Sequence, residues 1–310
     1  MAQVLAPMAS DTLDRDEVAK AIVALLSQAP AGHLQEVAAS CRRLLSASIP
    51  AEELDAAIAN GCQQALEDQH AVVWLPSGSQ GLVTKTGNVR DTTYLNPGAE
   101  PASVYMVSHV DQQCLREELA GDACQQNSAA EPFRKALEVA LGKYMQDSYA
   151  AENRRVASAV YASETDGNVE LNAFVTSQHW RPSACWSGSW NSHWHLRFKI
   201  GKEADPLSLL GELSFRSTYT EDANVSFHRS ESVRESVRMS RPEELADAIT
   251  NIIHVSESSF QMTAEQDCTT FGGSALKAVR RALPLSKERF DWRPLRHDLL
   301  TDLQRADIHM

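Results

Sequence analysis

The seven residues WHLRFKI, from Trp194 to Ile200, decide the fold class, because apolar and polar side chains alternate along them without exception. A period of two sends successive side chains to opposite faces of a strand, which is typical of an antiparallel sheet with one buried and one solvated face. Further strand-like segments lie at 156–162, 169–176, 213–219 and 225–227. The sequence therefore predicts a central antiparallel sheet within residues 156–240, in which adjacent strands are joined by short turns.

A long helix is predicted directly after this sheet. Ser240 and Glu243 fit a capping box, and Pro242 falls in the first turn, where its missing N–H is tolerated. Apolar residues then recur at helical spacing, namely Leu245, Ile249, Ile252, Ile253 and Phe260. A helix of about thirty residues would span about 45 Å, and its apolar stripe turns half-polar after Phe260. We expect this helix to cover the sheet and to pack against a second subunit.

The N-terminal residues are predicted to form a small antiparallel bundle of three amphipathic helices. Apolar residues recur at helical spacing over 16–26 and 34–45, and Pro50 opens a third helix that carries Leu54, Ile58 and Leu66. The sequence APAG at 29–32 breaks the chain between the first two helices.

The region that follows mixes short strands, loops and one helix. Short apolar runs predict strands at 71–75, 81–84 and 104–107. We interpret 87–102 as a loop because of its glycines and prolines, and 117–131 as an exposed polar connection. Residues 133–149 are predicted to form a helix with Leu137, Leu141 and Tyr144 on one face.

The charge of the chain is divided unevenly. The formal net charge is -12, yet residues 277–296 carry seven basic and two acidic residues, a balance of +5. The remainder of the chain therefore sums to -17, which argues against general nucleic-acid binding. A basic, partly apolar segment at the end of an acidic body indicates an element that binds something acidic. No apolar run reaches the length of a membrane span.

Candidate catalytic chemistry is sparse. None of the six cysteines forms a CxxC pair, and the chain lacks GxSxG, HExxH and phosphate-loop motifs. His193 and His195 lie two residues apart on the alternating strand, so Glu170 or Glu212 could complete a metal site with them. Two histidines on a solvated face are the more ordinary interpretation. The irregularly spaced tryptophans at 180, 186, 190 and 194 are expected to pack the sheet.

Several motifs, taken in order, resemble the α subunit of F-actin capping protein. The sequence WSGSWNSHW at 186–194 is similar to that family's W-N-G-x-W-x-S-x-W element, and YTEDANV at 219–225 resembles its Y-Y-E-D-G-N-V hairpin. The sequence KAVRRALP at 277–284 resembles K-A-L-R-R-Q-L-P. Weaker matches are the D-W pair at 291–292, APAG at 29–32 and LNP at 95–97.

This resemblance implies an α+β, capping-protein-like fold with no enzymatic activity and no cofactor. Its parts would be an N-terminal helical stalk, a small β/loop region with a connecting helix, a central antiparallel β-sheet, one long helix covering that sheet, and a C-terminal amphipathic tail. The corresponding ranges are 1–69, 70–155, 156–240, 241–276 and 277–310. In such a family the α and β subunits form a heterodimer with one continuous sheet.

The resemblance also implies a function and a set of contacts. The heterodimer with the capping protein beta subunit would bind the barbed end of actin filaments and block subunit exchange, in the cytoplasm and cytoskeleton. Regulatory proteins and acidic phospholipids are further expected partners. Carried over by position, the expected actin-binding residues are Lys277, Arg280, Arg281, Lys287, Arg289, Trp292, Leu295, Leu299 and Leu303.

Two alternatives stay open at this point. The first is a structural subunit of a larger complex that caps an actin-like filament, as in dynactin. The second is a metal-dependent enzyme that uses His193 and His195, which metal analysis of the purified protein would test.

Overall fold

The structure is a computed structural model that describes residues 15–121, 129–149, 155–180, 186–199, 206–219 and 225–270. Its elements confirm a mixed α+β fold with antiparallel sheets. The three predicted N-terminal helices are present as α1 (Arg15–Ser27), α2 (Leu34–Leu45) and α3 (Ala51–Asp68). They bury one common core, whose members include Ile22, Leu26, Leu34, Leu54, Ile58 and Cys62.

The break between α1 and α2 depends on Gly32. This residue has a φ of 85°, a backbone conformation that side chains with a Cβ rarely adopt. The indole ring of Trp180, which belongs to the central sheet, occupies the space into which a Cβ of Gly32 would project. The glycine therefore serves both the turn and the close contact between helices and sheet.

Two small sheets follow the helices. The first pairs β1 (Ala71–Trp74) with β2 (Gln80–Val83), as predicted. The second has the order β3-β4-β5-β6, in which only β5 coincides with a predicted strand. Its strands are β3 (Asn88–Arg90), β4 (Thr93–Asn96), β5 (Ser103–Ser108) and β6 (Gln113–Leu119).

Two predictions for this region were wrong. The predicted loop at 87–102 contains β3 and β4, and the predicted exposed connection from 117 begins inside β6. The buried Tyr94 explains the first error, because its hydroxyl donates to Glu67 of α3 over 2.8 Å and ties β4 to the helices. The second error arose because β6 is an edge strand with mostly exposed side chains, so it lacks an apolar signal.

The central sheet contains five antiparallel strands in the order β11-β10-β9-β8-β7, and each of them overlaps one of the five predicted strand-like segments. Its strands are β7 (Arg155–Thr165), β8 (Asn168–Trp180), β9 (Trp186–Lys199), β10 (Leu207–Tyr219) and β11 (Val225–Val237). The strand that contains residues 194–199 begins eight residues earlier than predicted, at Trp186, because polar residues such as Ser189 and Ser192 are buried within it.

Two helices cover one face of this sheet, which we call the helix-covered face. They are α4 (Glu131–Tyr149) and α5 (Pro242–Thr270), and the 29-residue length of α5 agrees with the predicted long helix. The fully buried Trp190 packs edge-on against Phe260 of α5, with ring centroids 5.4 Å apart. The tryptophan-rich element therefore builds the core, as expected from its sequence.

The start of α5 differs from the predicted capping box. The backbone N–H of Leu245 donates to the carbonyl of Arg241 over 2.9 Å, so the helix begins at Pro242 and Arg241 precedes it. The Nε of Arg241 also donates to Glu244 over 3.1 Å. The side chain that meets the first turn is therefore an arginine paired with a glutamate, one residue after the predicted serine cap.

Candidate functional site: an open sheet edge and an exposed helix stripe

The two edges of the central sheet differ. Strand β7 lies against α4 and the β1–β2 hairpin, whereas β11 has only β10 as a neighbouring strand within the described ranges. The pairing of β10 with β11 is unbroken from Leu207 opposite Val237 to Tyr219 opposite Val225, so no bulge interrupts the edge. The 13 residues of β11 include no proline and no lysine. An edge without these protective features presents free backbone groups to another strand.

The side chains of β11 alternate between the two faces. Val237 is buried in the core under the helices, and Phe227 and Val233 pack against the same core. The helix-covered face of β11 therefore also carries Arg229, Glu231 and Glu235. The opposite face carries mainly hydroxyl and basic groups, namely Ser226, His228, Ser230, Ser232, Arg234 and Ser236. The acidic residues of β11 therefore lie on the helix-covered face, whereas basic residues lie on both faces.

Arg229 lies on this edge below α5. Its guanidinium pairs with Asp267 of α5, and its Nη2 lies 3.6 Å from Glu231 Oε2. The guanidinium carbon also lies 5.4 Å from the centroid of the Phe260 ring. Its Nε is buried and has no hydrogen-bond partner within the described part of the chain. A buried N–H group of this kind calls for an acceptor, which a neighbouring chain at the open edge could supply.

Beside its buried side, helix α5 carries a further stripe of partly apolar side chains, of which Ala248 and Ile252 also touch the core while Val255 and Met262 are exposed. Its members alternate in spacing between four and three residues, the 3.5-residue repeat of helices that pack along one another. They are Ala248, Ile252, Val255, Ser259, Met262 and Gln266. Val255 is 58% exposed and Met262 is 66% exposed. The stripe and the β11 edge therefore leave apolar and hydrogen-bonding surface uncovered in the single chain.

A buried carboxylate fixes the rotation of α5. The Oε2 of Glu257 accepts hydrogen bonds from Tyr144 over 2.7 Å and from Tyr149 over 2.5 Å, and both tyrosines belong to α4. Burial raises the pKa of Glu257, although the two tyrosine hydrogen bonds act in the opposite direction. Because these contacts hold Glu257 towards α4, they keep Val255 and Met262 on the outer side of the helix.

The two candidate metal-ligating histidines do not form a metal site. His193 Nε2 lies 3.1 Å from Asn172 Oδ1, and its ring stacks on Phe174 with centroids 4.2 Å apart. Glu170 instead pairs with Arg197 over 3.3 Å. Among the residues that the structure describes, no group of three or more histidine, cysteine, aspartate or glutamate side chains could hold a metal ion.

His193 belongs to a polar cavity of about 450 Å³ on the other side of the sheet from α5. His70 enters the same cavity, with its ring edge-on to Phe174 at 4.9 Å and its centroid 6.3 Å from that of His193. Glu212 also lines this cavity. Burial lowers the pKa of His193, which favours the neutral ring.

The sequence-predicted actin-binding residues, from Lys277 to Leu303, lie outside the described residues. They remain predictions. The open edge and the stripe of α5 were missed by the sequence analysis beyond the general expectation of a second subunit. The signal for the stripe was available in the spacing of Ile252, Val255 and Met262, but β11 carries polar residues on both faces and gives little apolar alternation after Phe227.

Comparisons with known proteins agree with this architecture. The family described as "F-actin capping protein alpha subunit" matches residues 22–302. The chain is similar to the "F-actin-capping protein subunit alpha" of Arabidopsis thaliana, with 26% identity over 269 residues that cover 85% of this chain and 84% of the relative. It is also similar to the protein of that name from Dictyostelium discoideum, with 25% identity over 272 residues that cover 88% and 92% of the two chains.

A solved structure shares the fold. It is the homodimeric actin capping protein alpha subunit from Plasmodium berghei, with a TM-score of 0.67 and 20% identity, covering 79% of this chain and 90% of that one. No helix among the described residues is long and apolar enough to cross a membrane. Because the family match extends over most of its length, the chain belongs to the F-actin capping protein alpha subunit family.

Proposed function

We propose that this chain is the α-type subunit of a dimeric, non-catalytic protein that binds the barbed ends of actin filaments and blocks the addition and loss of actin subunits. The observation that carries the proposal is the family match over residues 22–302. The relatives from Arabidopsis and Dictyostelium are named as subunits of F-actin-capping protein, which favours actin over an actin-like filament as the target.

The open edge of β11 and the exposed stripe of α5 support a partner of related fold. A partner strand would complete the backbone hydrogen bonds of β11, and a partner helix would cover Val255 and Met262. We propose the capping protein beta subunit as this partner, with the two central sheets joined into one. The partner of an α-type subunit in this family is expected to bring its own central antiparallel sheet and long helix.

The actin contacts are proposed to lie in the C-terminal segment. Lys277, Arg280 and Arg281, with Lys287 and Arg289, would steer the protein to the acidic filament end. The apolar residues would then form the face of a short helix that lies in a groove of actin, a common mode of recognition. These residues are Trp292, Leu295, Leu299 and Leu303.

A truncation tests this division of roles. A chain that ends at Phe271, co-expressed with the beta subunit, is expected to form the dimer but to cap filaments far more weakly than the full chain. The readout is elongation of actin from seeds, measured alongside the mass of the purified dimer. Undiminished capping by the truncated dimer would show that the C-terminal segment is not the contact.

Charge removal tests the basic cluster separately. Changing Lys277, Arg280 and Arg281 to alanine should lower the association rate with filament ends and reduce its dependence on salt, because long-range attraction accelerates encounter. The dissociation rate should change less. If the association rate and its salt dependence match those of the unchanged dimer, the cluster does not steer binding.

A further inference from the structure

Arg229 lies where the edge strand β11 meets the end of α5, and it contacts this helix at two points. Its guanidinium pairs with Asp267, and its guanidinium carbon lies 5.4 Å from the centroid of the Phe260 ring. Asp267 follows Phe260 by seven residues, which is about two helical turns, so both residues lie on the same side of α5 about 10 Å apart. One side chain of the sheet therefore fixes both the position and the rotation of the end of this helix.

The last turn of α5, residues 267–270, is poorly stabilised by its own sequence. It contains Asp267 and no basic residue. The free carbonyl groups at the C-terminal end of a helix carry a partial negative charge, so a carboxylate there is unfavourable and a cation is favourable. The large apolar side chains on the buried side of the helix also give way to Gln261 and Ala264 after Phe260. Arg229 supplies the missing positive charge from the neighbouring strand.

The strand holds Arg229 firmly enough for this task. Its backbone lies opposite Phe215 of β10 in an unbroken ladder, and Phe215 is fully buried. The Nη2 atom of Arg229 also lies 3.6 Å from Glu231 Oε2 on the same face of β11. The guanidinium is therefore oriented by one carboxylate on the strand and by a second carboxylate on the helix.

The earlier part of α5 has an anchor of its own. Glu257 accepts hydrogen bonds from Tyr144 and Tyr149 of α4, ten residues before Asp267. Loss of the Arg229 contact should therefore loosen only the turns that follow Phe260. This local effect distinguishes a positioning role from a general contribution to stability, which would extend along the whole helix.

We propose that Arg229 positions the last turn of α5, and with it the C-terminal segment that continues from this helix, for binding to the filament end. The proposal rests on the proposed function, because it takes Lys277 and the residues after it as actin contacts. Lys277 follows Thr270 by seven residues, so it lies within about 25 Å of the helix end. A segment that leaves from a fixed point has less conformational freedom to lose on binding than one that leaves from a frayed helix.

Charge reversal in the full chain, co-expressed with the beta subunit, tests this proposal. Arg229→Glu replaces the attraction to Asp267 by repulsion. Combining it with Asp267→Arg restores a pair of opposite charges and leaves the net charge of the chain unchanged. Arg234→Glu is the matched control, because it makes the same charge change at an exposed position on the other face of β11.

Two measurements on each dimer separate positioning from stability. Amide hydrogen exchange over residues 261–270 should be at least about tenfold faster in Arg229→Glu, as expected when a hydrogen bond between charged groups is lost, and unchanged over 245–256. Seeded elongation should give a dissociation constant for filament ends about threefold higher, as expected if two-thirds of the molecules have an open helix end. The combined variant should regain most of both losses, and Arg234→Glu should show neither.

These results together would support the positioning role. Unchanged exchange over 261–270 in Arg229→Glu would overturn it, and so would faster exchange with unchanged filament binding. A combined variant no better than Arg229→Glu, or a control that loses as much binding, would show that the ion pair is not the cause. If Arg229→Glu yields no dimer, Arg229→Gln is judged by the same criteria.

The proposed function is judged separately on the unchanged dimer. If that dimer leaves filament elongation unaffected, the proposed function fails, and the link from Arg229 to filament binding fails with it. Hydrogen exchange over residues 261–270 still decides in that case whether Arg229 holds the end of α5. A dimer that caps normally while Arg229→Glu has no effect would instead overturn the positioning role alone.

Discussion

His70 at the joint between α3 and β1 should make the stability of this protein fall as the pH drops below about 6.5. Burial, together with the smaller effects of the nearby His193 and Lys85, lowers the pKa of His70 to about 3. The side chain is partly exposed, but its Nδ1 is buried and has no hydrogen-bond partner among the described residues. The unfolded chain has an ordinary histidine pKa near 6.5, so it takes up the proton first as the pH falls.

The size of the effect follows from linkage. Below pH 6.5 the unfolded state binds a proton that the folded state refuses until about pH 3, and each pH unit in this window costs about 1.4 kcal/mol. Between pH 6.5 and 5 the free energy of unfolding should therefore fall by about 2 kcal/mol through His70. The raised pKa of Glu257 acts in the opposite direction, because the folded state then gains protons before the unfolded state does.

The variant His70→Asn isolates this contribution. His70 has a φ of 46°, and asparagine tolerates this left-handed conformation better than most residues. Urea unfolding of both proteins, followed by tryptophan fluorescence at pH 7 and pH 5, gives the free energy lost over this interval. The unchanged protein should lose about 2 kcal/mol more than His70→Asn. Equal losses would refute the reasoning, and the contribution of Glu257 cancels because both proteins contain it.

Two further changes test the packing of the central sheet and α5. Gly211→Ala should lower the free energy of unfolding by about 1–3 kcal/mol because the new methyl group meets the Trp194 ring. Gly142→Ala is the control, because its methyl group projects into open space on α4 and should leave stability unchanged or raise it. Equal thermal midpoints for the two variants would contradict this prediction. Glu257→Ala should cost about 2–3 kcal/mol because both tyrosine hydroxyls lose their acceptor. Glu257→Gln keeps an acceptor without the charge and should cost less than the alanine variant in the same urea titration, so the reverse order would exclude the hydrogen-bonding role.

Local patterns in the sequence were sufficient where one side of an element is buried and the other solvated. WHLRFKI alternates because Trp194, Leu196 and Phe198 are buried while Arg197 and Lys199 are exposed. The long helix was equally clear, since its buried side is continuous from Leu245 to Phe260. In both cases tertiary contacts reinforce what the local period already specifies.

The same reasoning failed where a strand buries little or where polar groups are buried. Strand β6 and most of β11 have exposed side chains on both faces, so apolar and polar residues do not alternate clearly along them. Strand β4 is short and follows a turn that contains Asp91, a residue with a φ of 45°. The turn-forming residues around it therefore led to the prediction of a loop. The strands were formed by long-range pairing, which a single sequence does not reveal.

The candidate site, too, could be predicted only in part from the sequence. The proposed actin contacts came from a family motif, because the spacing of basic residues alone does not name a partner. The open edge came from topology: only the order of the strands shows that β11 is terminal. The role of Arg229 required coordinates, because its contact with Asp267 joins residues 38 positions apart in the chain.

The unprotected edge of β11 has a consequence for how the protein is made in the cell. A chain released from the ribosome carries 13 residues of strand whose outward backbone groups accept any extended segment within reach. Synthesis of this chain in excess over its pairing partner would therefore favour aggregation or recognition by chaperones. The abundance of the two pairing chains should accordingly be matched, and depletion of one should shorten the lifetime of the other.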